Sequence, residues 1–305
     1  MKVAALAGGV GGAKLLVGLD AALGANLTAI VNTGDDDSLY GVRISPDLDI
    51  VTYWLAGIAD ERRGWGIAGD SFTVVDSLGK LGAPTWFRLG DSDFATCIHR
   101  TQRLSEGATL SDATDEIRRA LEVRTQVIPM SDDDVRTQIV TRAGDTLAFQ
   151  DYFVRRRADV DVARVVFAGA EDAKPAPGVV DAIEAADRVV VCPSNPVVSV
   201  APILALPGVR DALAAHPSVV AVTPIVRGAP LKGPADRLLA GLGIEVSASG
   251  VARLYSGWCD LFVVDASDAP EAEPTEAAEM DAVILDTVMS DRAASGRLAE
   301  SLLSL

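Results

Sequence analysis

Val3-Ala4-Ala5-Leu6-Ala7-Gly8-Gly9-Val10-Gly11-Gly12-Ala13-Lys14 is a short apolar run, then four glycines in five positions, then a lysine. Leu15, Leu16, Leu19 and Leu23 follow at helical spacing, so the stretch predicts strand, tight turn and helix. Glycine lets the backbone bend sharply and bring its amides close to an anion. A helix that starts at the turn adds unpaired N–H groups and the positive end of its dipole. Lys14 adds a point charge. The stretch reads as a phosphate cradle, with a glycine turn that merely packs helix on strand as the plainer alternative. Lys14 stands where a dinucleotide fingerprint has a third small residue, and the P-loop spacing is not met either.

The 305-residue chain is long enough for one large α/β domain or two unequal lobes. A net charge of −16 and a pI near 4.5 argue against a nucleic-acid or anionic-membrane partner, since either calls for a basic face. Cys97, Cys192 and Cys259 are far apart and show no C-x-x-C spacing, so neither a disulfide framework nor a zinc site is expected. No apolar run reaches membrane-spanning length, and the start runs straight into the glycine turn without a signal peptide. A cytoplasmic protein is expected.

Working outward, Leu27-Thr28-Ala29-Ile30-Val31 reads as a second buried strand that ends at Asn32-Thr33-Gly34-Asp35-Asp36-Asp37. Ser45-Pro46-Asp47-Leu48-Asp49 follows, with Pro46 suited to a helix start and Asp49 set between apolar residues. Strands are expected again at 164–168, 188–192, 219–223, 261–265 and 282–285. Alternation of strand and helix predicts a Rossmann-like, doubly wound, mostly parallel α/β sheet with its ligands beyond the carboxyl ends of the strands. Pro193-Ser194-Asn195-Pro196 offers a second helix start at that edge. The pattern changes between, with aromatic loops at Trp65 and at Trp86-Phe87-Arg88, a capping box at Thr109, and a hairpin around Ala143-Gly144-Asp145. Residues 60–157 are therefore read as an inserted smaller α+β subdomain placed to cover a substrate, and residues 1–59 with 158–305 as the nucleotide-binding core.

Six segments recur in order across most of the chain: the glycine turn, Asn32-Thr33-Gly34-Asp35-Asp36, Ser45-Pro46-Asp47-Leu48-Asp49, Leu89-Gly90-Asp91-Ser92-Asp93-Phe94-Ala95-Thr96, Pro193-Ser194-Asn195-Pro196-Val197-Val198-Ser199 and Lys232-Gly233-Pro234-Ala235. The series resembles the CofD-like family, the 2-phospho-L-lactate and phosphoenolpyruvate transferases of coenzyme F420 biosynthesis. That resemblance implies transfer of a phospholactyl or phosphoenolpyruvyl group from a guanosine diphosphate diester to the ribityl hydroxyl of the deazaflavin Fo. GMP leaves, and Mg²⁺ assists. Asp49 and Arg88 match the family's Fo-contacting positions. Gly9, Gly11, Gly12 and Lys14, with Asn32, Ser194 and Asn195, would hold the donor's phosphates and guanosine. Asp35 and Asp49 are the expected metal contacts, with Asp36 behind them, and Asp49 is the expected catalytic group. Trp65, Trp86 and Phe87 are candidates to stack on the deazaflavin. A homodimer is expected from the resemblance alone. The competing reading is a non-catalytic nucleotide-sugar-binding regulator of the same superfamily, which would need neither the paired acids nor the Arg88 loop.

Overall fold

The computed structural model describes residues 1–276, 278 and 280–305. Seven parallel strands form the central sheet, in the spatial order Asp281–Leu285, Leu261–Asp265, Val219–Val222, Arg188–Val191, Val3–Ala7, Leu27–Val31 and Gln126–Pro129. The strand direction in sequence reverses between Val3–Ala7 and Arg188–Val191, which is the switch point of a doubly wound sheet. Alternate side chains of the first strand face opposite sides, so Ala4 and Leu6 enter one core and Val3, Ala5 and Ala7 the other. Helices Gly9–Leu23, Pro46–Leu55 and Arg292–Ser304 close the second of these cores.

Two boundaries differ from the sequence expectation. Gln126–Pro129 lies inside the segment read as an insertion, yet it pairs in parallel with Leu27–Val31 as the edge strand of the central sheet. Its four residues end in proline, too short and too interrupted a run to stand out by pattern. Val162–Ala168, read as a core strand, instead joins Arg136–Thr141 and Thr146–Ala148 in a three-stranded antiparallel sheet. The excursion is thus two pieces on either side of that edge strand, a helical one before it and a small sheet after it. Thr109 caps the Leu110–Ala120 helix in a full capping box with Asp112, as the spacing predicts. Residues 266–279, read as a solvated loop, contain the short helices Ala266–Glu271 and Ala272–Glu276, while Ala277 and Glu279 lie outside the described residues. Among the described residues no single helix is long and apolar enough to cross a membrane.

Candidate active site

The carboxyl ends of the strands open into a cavity of about 600 Å³, a volume suited to one substrate-sized ligand or to two joined ones. Its floor is the glycine turn. Gly9 has φ +63°, a conformation that a side chain would strain, and a Cβ on Gly11 would strike the Pro193 carbonyl. Ser194 ties this turn to the neighbouring strand's loop: its Oγ accepts the Gly8 amide at 3.0 Å and donates to the Gly8 carbonyl at 2.8 Å. Asp47 clamps it from the other side, with Oδ1 accepting the Gly9 amide at 2.8 Å and Oδ2 the Asn32 side-chain amide at 2.9 Å. Gly8, at the N-cap of the Gly9–Leu23 helix, makes no side-chain cap bond, and Val10 and Gly11 line the cavity at the positive end of the helix dipole.

Gly9, Gly11, Lys14, Asp35, Asp49, Arg88, Ser194 and Asn195 all line this cavity. Gly12 and Asn32 do not. A Cβ on Gly12 would meet Ser194 Oγ at 2.6 Å, so this glycine serves the packing of helix on strand. Asn32 is fully buried, bonded to Asp47 and to the Val198 carbonyl, and therefore positions Asp47 instead of facing a ligand. The second helix start is also already occupied: Asn195 Oδ1 accepts the amides of Val197 and Val198, and the element it caps is a five-residue π turn. Asn195 Nδ2, in contrast, is buried and has no partner. None of Arg155, Arg156 and Arg157 reaches the cavity; the first two pair with Asp151.

One end of the cavity is acidic. Asp35, Asp47, Asp49 and Asp93 line it and are buried, and Asp36 is buried beside them. Burial raises Asp35 well above the usual carboxylate range, and Asp47 beside it pushes in the same direction. Asp36 is raised to about 7 by burial, which outweighs Arg43 at 3.5 Å and the Ser45 hydroxyl donating at 2.6 Å. Burial takes Asp47 to about 6. Asp93 rises to about 7 through burial and the charge of Asp49, although the Tyr53 hydroxyl donates to it at 2.9 Å. Asp35 Oδ1 and Asp36 Oδ1 are buried without a hydrogen-bond partner.

Asp49 is set apart by Arg100, whose guanidinium donates through Nη1 at 3.2 Å to one carboxylate oxygen and through Nη2 to the other. Arg100 is only 1% exposed, and it also reaches Cys97 Sγ at 3.9 Å. The ligand atoms of Asp49, Asp93 and Cys97 lie within 4.8 Å of one another, but the cation among them is already this guanidinium. Asp49 therefore meets the cavity with both oxygens already bonded to Arg100, and any cation that it held would share those oxygens with the guanidinium. Arg100 went unnoticed in the sequence, although Asp93, Cys97 and Arg100 stand at helical i, i+4 and i+7 on the buried face of the Asp91–Ser105 helix.

Aromatic side chains form the rim. Trp65, Trp86, Phe87, Phe149 and Phe153 line the cavity, with Phe149 and Phe153 stacked at 5.6 Å. The Arg63 guanidinium lies against both Trp65 and Phe72, at 5.0 and 5.2 Å from the ring centroids, and Arg88 lies over the same Phe72 at 4.7 Å while pairing with Asp76. Sequence reading missed Phe149 and Phe153, which follow a short hairpin strand and sit partly on a π turn.

A family model described as 2-phospho-L-lactate transferase CofD matches residues 3–299. The phosphoenolpyruvate transferase of Streptomyces griseus is 48% identical over 285 residues, spanning 91% of this chain and 90% of that protein. The 2-phospho-L-lactate transferase of Methanosarcina mazei is 41% identical over 262 residues, spanning 86% of both chains. A solved structure of a UPF0052-family protein from Bacillus halodurans has a TM-score of 0.67 at 17% identity, covers 99% of this chain and 98% of its own, and shows the same fold.

Proposed function

The chain belongs to the CofD family, and from that premise we propose that it transfers a phosphoenolpyruvyl or phospholactyl group from a guanosine diphosphate diester to the ribityl hydroxyl of the deazaflavin Fo. The product is the (dehydro) coenzyme F420-0 skeleton, and GMP leaves. Identity of 48% to a phosphoenolpyruvate transferase, against 41% to a 2-phospho-L-lactate transferase, supports enolpyruvate as the carried group. The observation that carries the reading is a single cavity in which a glycine turn at a helix start meets a buried carboxylate cluster and an aromatic rim.

In this reaction the hydroxyl oxygen of Fo attacks the phosphorus that bears the three-carbon acid. A new P–O bond forms as the bridging P–O bond breaks, and the bridging oxygen leaves with the electron pair as part of GMP. Asp49, held in place by Arg100, accepts the hydroxyl's hydrogen bond and then its proton. The amides of Val10 and Gly11 hold phosphate oxygens, and Arg88 with Trp86 and Phe87 holds the deazaflavin. Phosphoryl transfer depends on such positioning and charge stabilisation more than on covalent chemistry by the protein.

Mg²⁺ fits the acidic end. The buried, unpartnered Asp35 Oδ1 among neighbouring carboxylates supports a cation there, which Asp35 and Asp49 would hold with Asp36 behind them. Bound there, Mg²⁺ supplies neutralisation of the diphosphate's charge. The expected homodimer belongs to the same proposal and is checked by sedimentation velocity.

The test is incubation with Fo, Mg²⁺ and each guanosine diester in turn, read by product mass. Asp49→Asn lowers kcat by about 10²- to 10⁴-fold, the range of a lost general base. A fully active Asp49→Asn enzyme removes the assignment. Tight GDP binding without turnover of either diester would favour the regulator.

A further inference from the structure

Arg157 and Ala158, consecutive and neither of them glycine, have φ of +54° and +52°, in the left-handed region where a Cβ crowds the backbone. Such a pair persists only where its surroundings hold it. The Ala158 amide donates to the Tyr152 carbonyl at 2.8 Å and the Arg156 amide to the Asp151 carbonyl at 2.9 Å, so the strained turn closes back onto the π turn Asp151–Arg155. Ala158 is buried. On its other side, Arg237 Nη1 donates to the Arg157 carbonyl at 3.1 Å and to the Ala158 carbonyl at 2.7 Å. Arg237 belongs to the helix Ala235–Gly241, whose first residue lines the cavity although Arg237 itself does not. Its pair with Asp159, at 3.8 Å, joins two solvated side chains and contributes little, so the carbonyl bonds are what tie it to the turn.

The segment held this way is a wall of the cavity, which Phe149, Gln150, Phe153 and Val154 line. Gln150 Nε2 donates to the Asp35 carbonyl at 3.0 Å and fixes the wall at its start. Phe149, 6% exposed, stacks on Phe153, 38% exposed, with the ring planes 17° apart. An aromatic pair with one ring buried and the other open is a platform on which a third planar ring stacks. We propose that Arg237 is a positioning residue, which by clamping the Arg157–Ala158 turn sets Phe149 and Phe153 as a stacking platform for a planar ring of the ligand. The identity of that ring rests on the proposed transfer, which brings two of them, the deazaflavin of the acceptor and the guanine of the donor.

The test is steady-state kinetics with Fo and the guanosine diester varied in turn, beside binding of Fo by fluorescence and of GMP by calorimetry. The proteins are the wild type, Arg237→Met, Arg237→Lys, Phe153→Leu and the double variant of Arg237→Met with Phe153→Leu. Arg237→Met is expected to raise the KM of one reactant about three- to tenfold, the range of one lost aromatic contact, with kcat within about twofold. A rise for Fo identifies the deazaflavin as the stacked ring, and a rise for the diester identifies the guanine. Phe153→Leu should raise the same KM, and the double variant should go no further than the larger single effect, because both changes act on one platform. Arg237→Lys keeps a donor and should recover part of the loss. A lowered melting temperature with both KM values unchanged makes Arg237 a stability residue only and overturns the proposal. Different reactants affected by Arg237→Met and by Phe153→Leu also overturn it. Phe153 is partly exposed, so its variant folds even where Arg237→Met does not, and unchanged Fo and GMP affinities in Phe153→Leu overturn the platform. A wild type that binds Fo and GMP but turns over neither diester removes the proposed transfer, and those two affinities then judge the platform by themselves.

Discussion

The acids and the lysines around the cavity present opposite electrostatic problems. Five buried aspartates share two arginines, Arg43 and Arg100, and most of them are driven toward the protonated form. Lys14 and Lys232 line the same cavity and donate to backbone carbonyls, those of Met289 and Arg63. The glycine turn lines the same cavity and is tied to the acidic cluster through the Gly9 amide and Asp47. Asp35 Oδ1 and Asp36 Oδ1 have no hydrogen-bond partner, and among the described residues no carboxylate pairs with either lysine. A fold optimised only for stability would pair such charges internally.

The largest break in this comparison comes from Arg100→Met. Removing the guanidinium leaves Asp49 uncompensated among Asp36 and Asp93, and the loss of one partner from a buried pair costs about 3–5 kcal/mol. Chemical denaturation should show that loss together with loss of turnover. A stability change under about 1 kcal/mol would mean that the acidic end tolerates an unpaired charge, and the contrast between acids and lysines would collapse.

A smaller effect is expected with pH. Asp36, Asp47 and Asp93 have folded-state values of about 7, 6 and 7, above their unfolded value near 3.8. The folded protein therefore binds more protons than the unfolded chain across that interval, and stability is lost as pH rises from about 4 to about 7. Thermal unfolding without divalent cation should show the melting temperature falling from pH 5 to pH 8, and Mg²⁺ should flatten the slope. Asp35→Asn should remove much of the Mg²⁺ response. A slope that Mg²⁺ leaves untouched would place the ion elsewhere.

The smallest expected effect sharpens the role of the rim. Trp65→Ala removes one ring from the Arg63 stack, worth about 0.5–1 kcal/mol at such a half-exposed place. The KM for Fo should rise a few-fold with kcat nearly constant. An unchanged KM would show that Trp65 packs the loop and does not touch the acceptor.

The glycine turn, both strand ends beside it and the Ser45–Asp49 segment were legible because their chemistry is local: strand, turn and helix start lie within about a dozen consecutive residues. Arg100 was not, since it matters only through a partner far along the chain, Asp49. The edge strand Gln126–Pro129 was missed for the same reason, because its only strong signal is the neighbour it pairs with. Asn32 and Gly12 were misjudged in the opposite direction. Their types suit a ligand site, and only burial shows that they support it from below.

By itself the sequence determined the α/β class, the glycine turn after the first strand and the family to which the chain belongs, because periodicity and motif order are properties of the string. Tertiary structure alone decided which carboxylates are paired and which stand open, and which cations remain for an anion. Those depend on distances of a few ångströms between residues tens to hundreds of positions apart, and on the loss of water around them, neither of which spacing along a chain encodes.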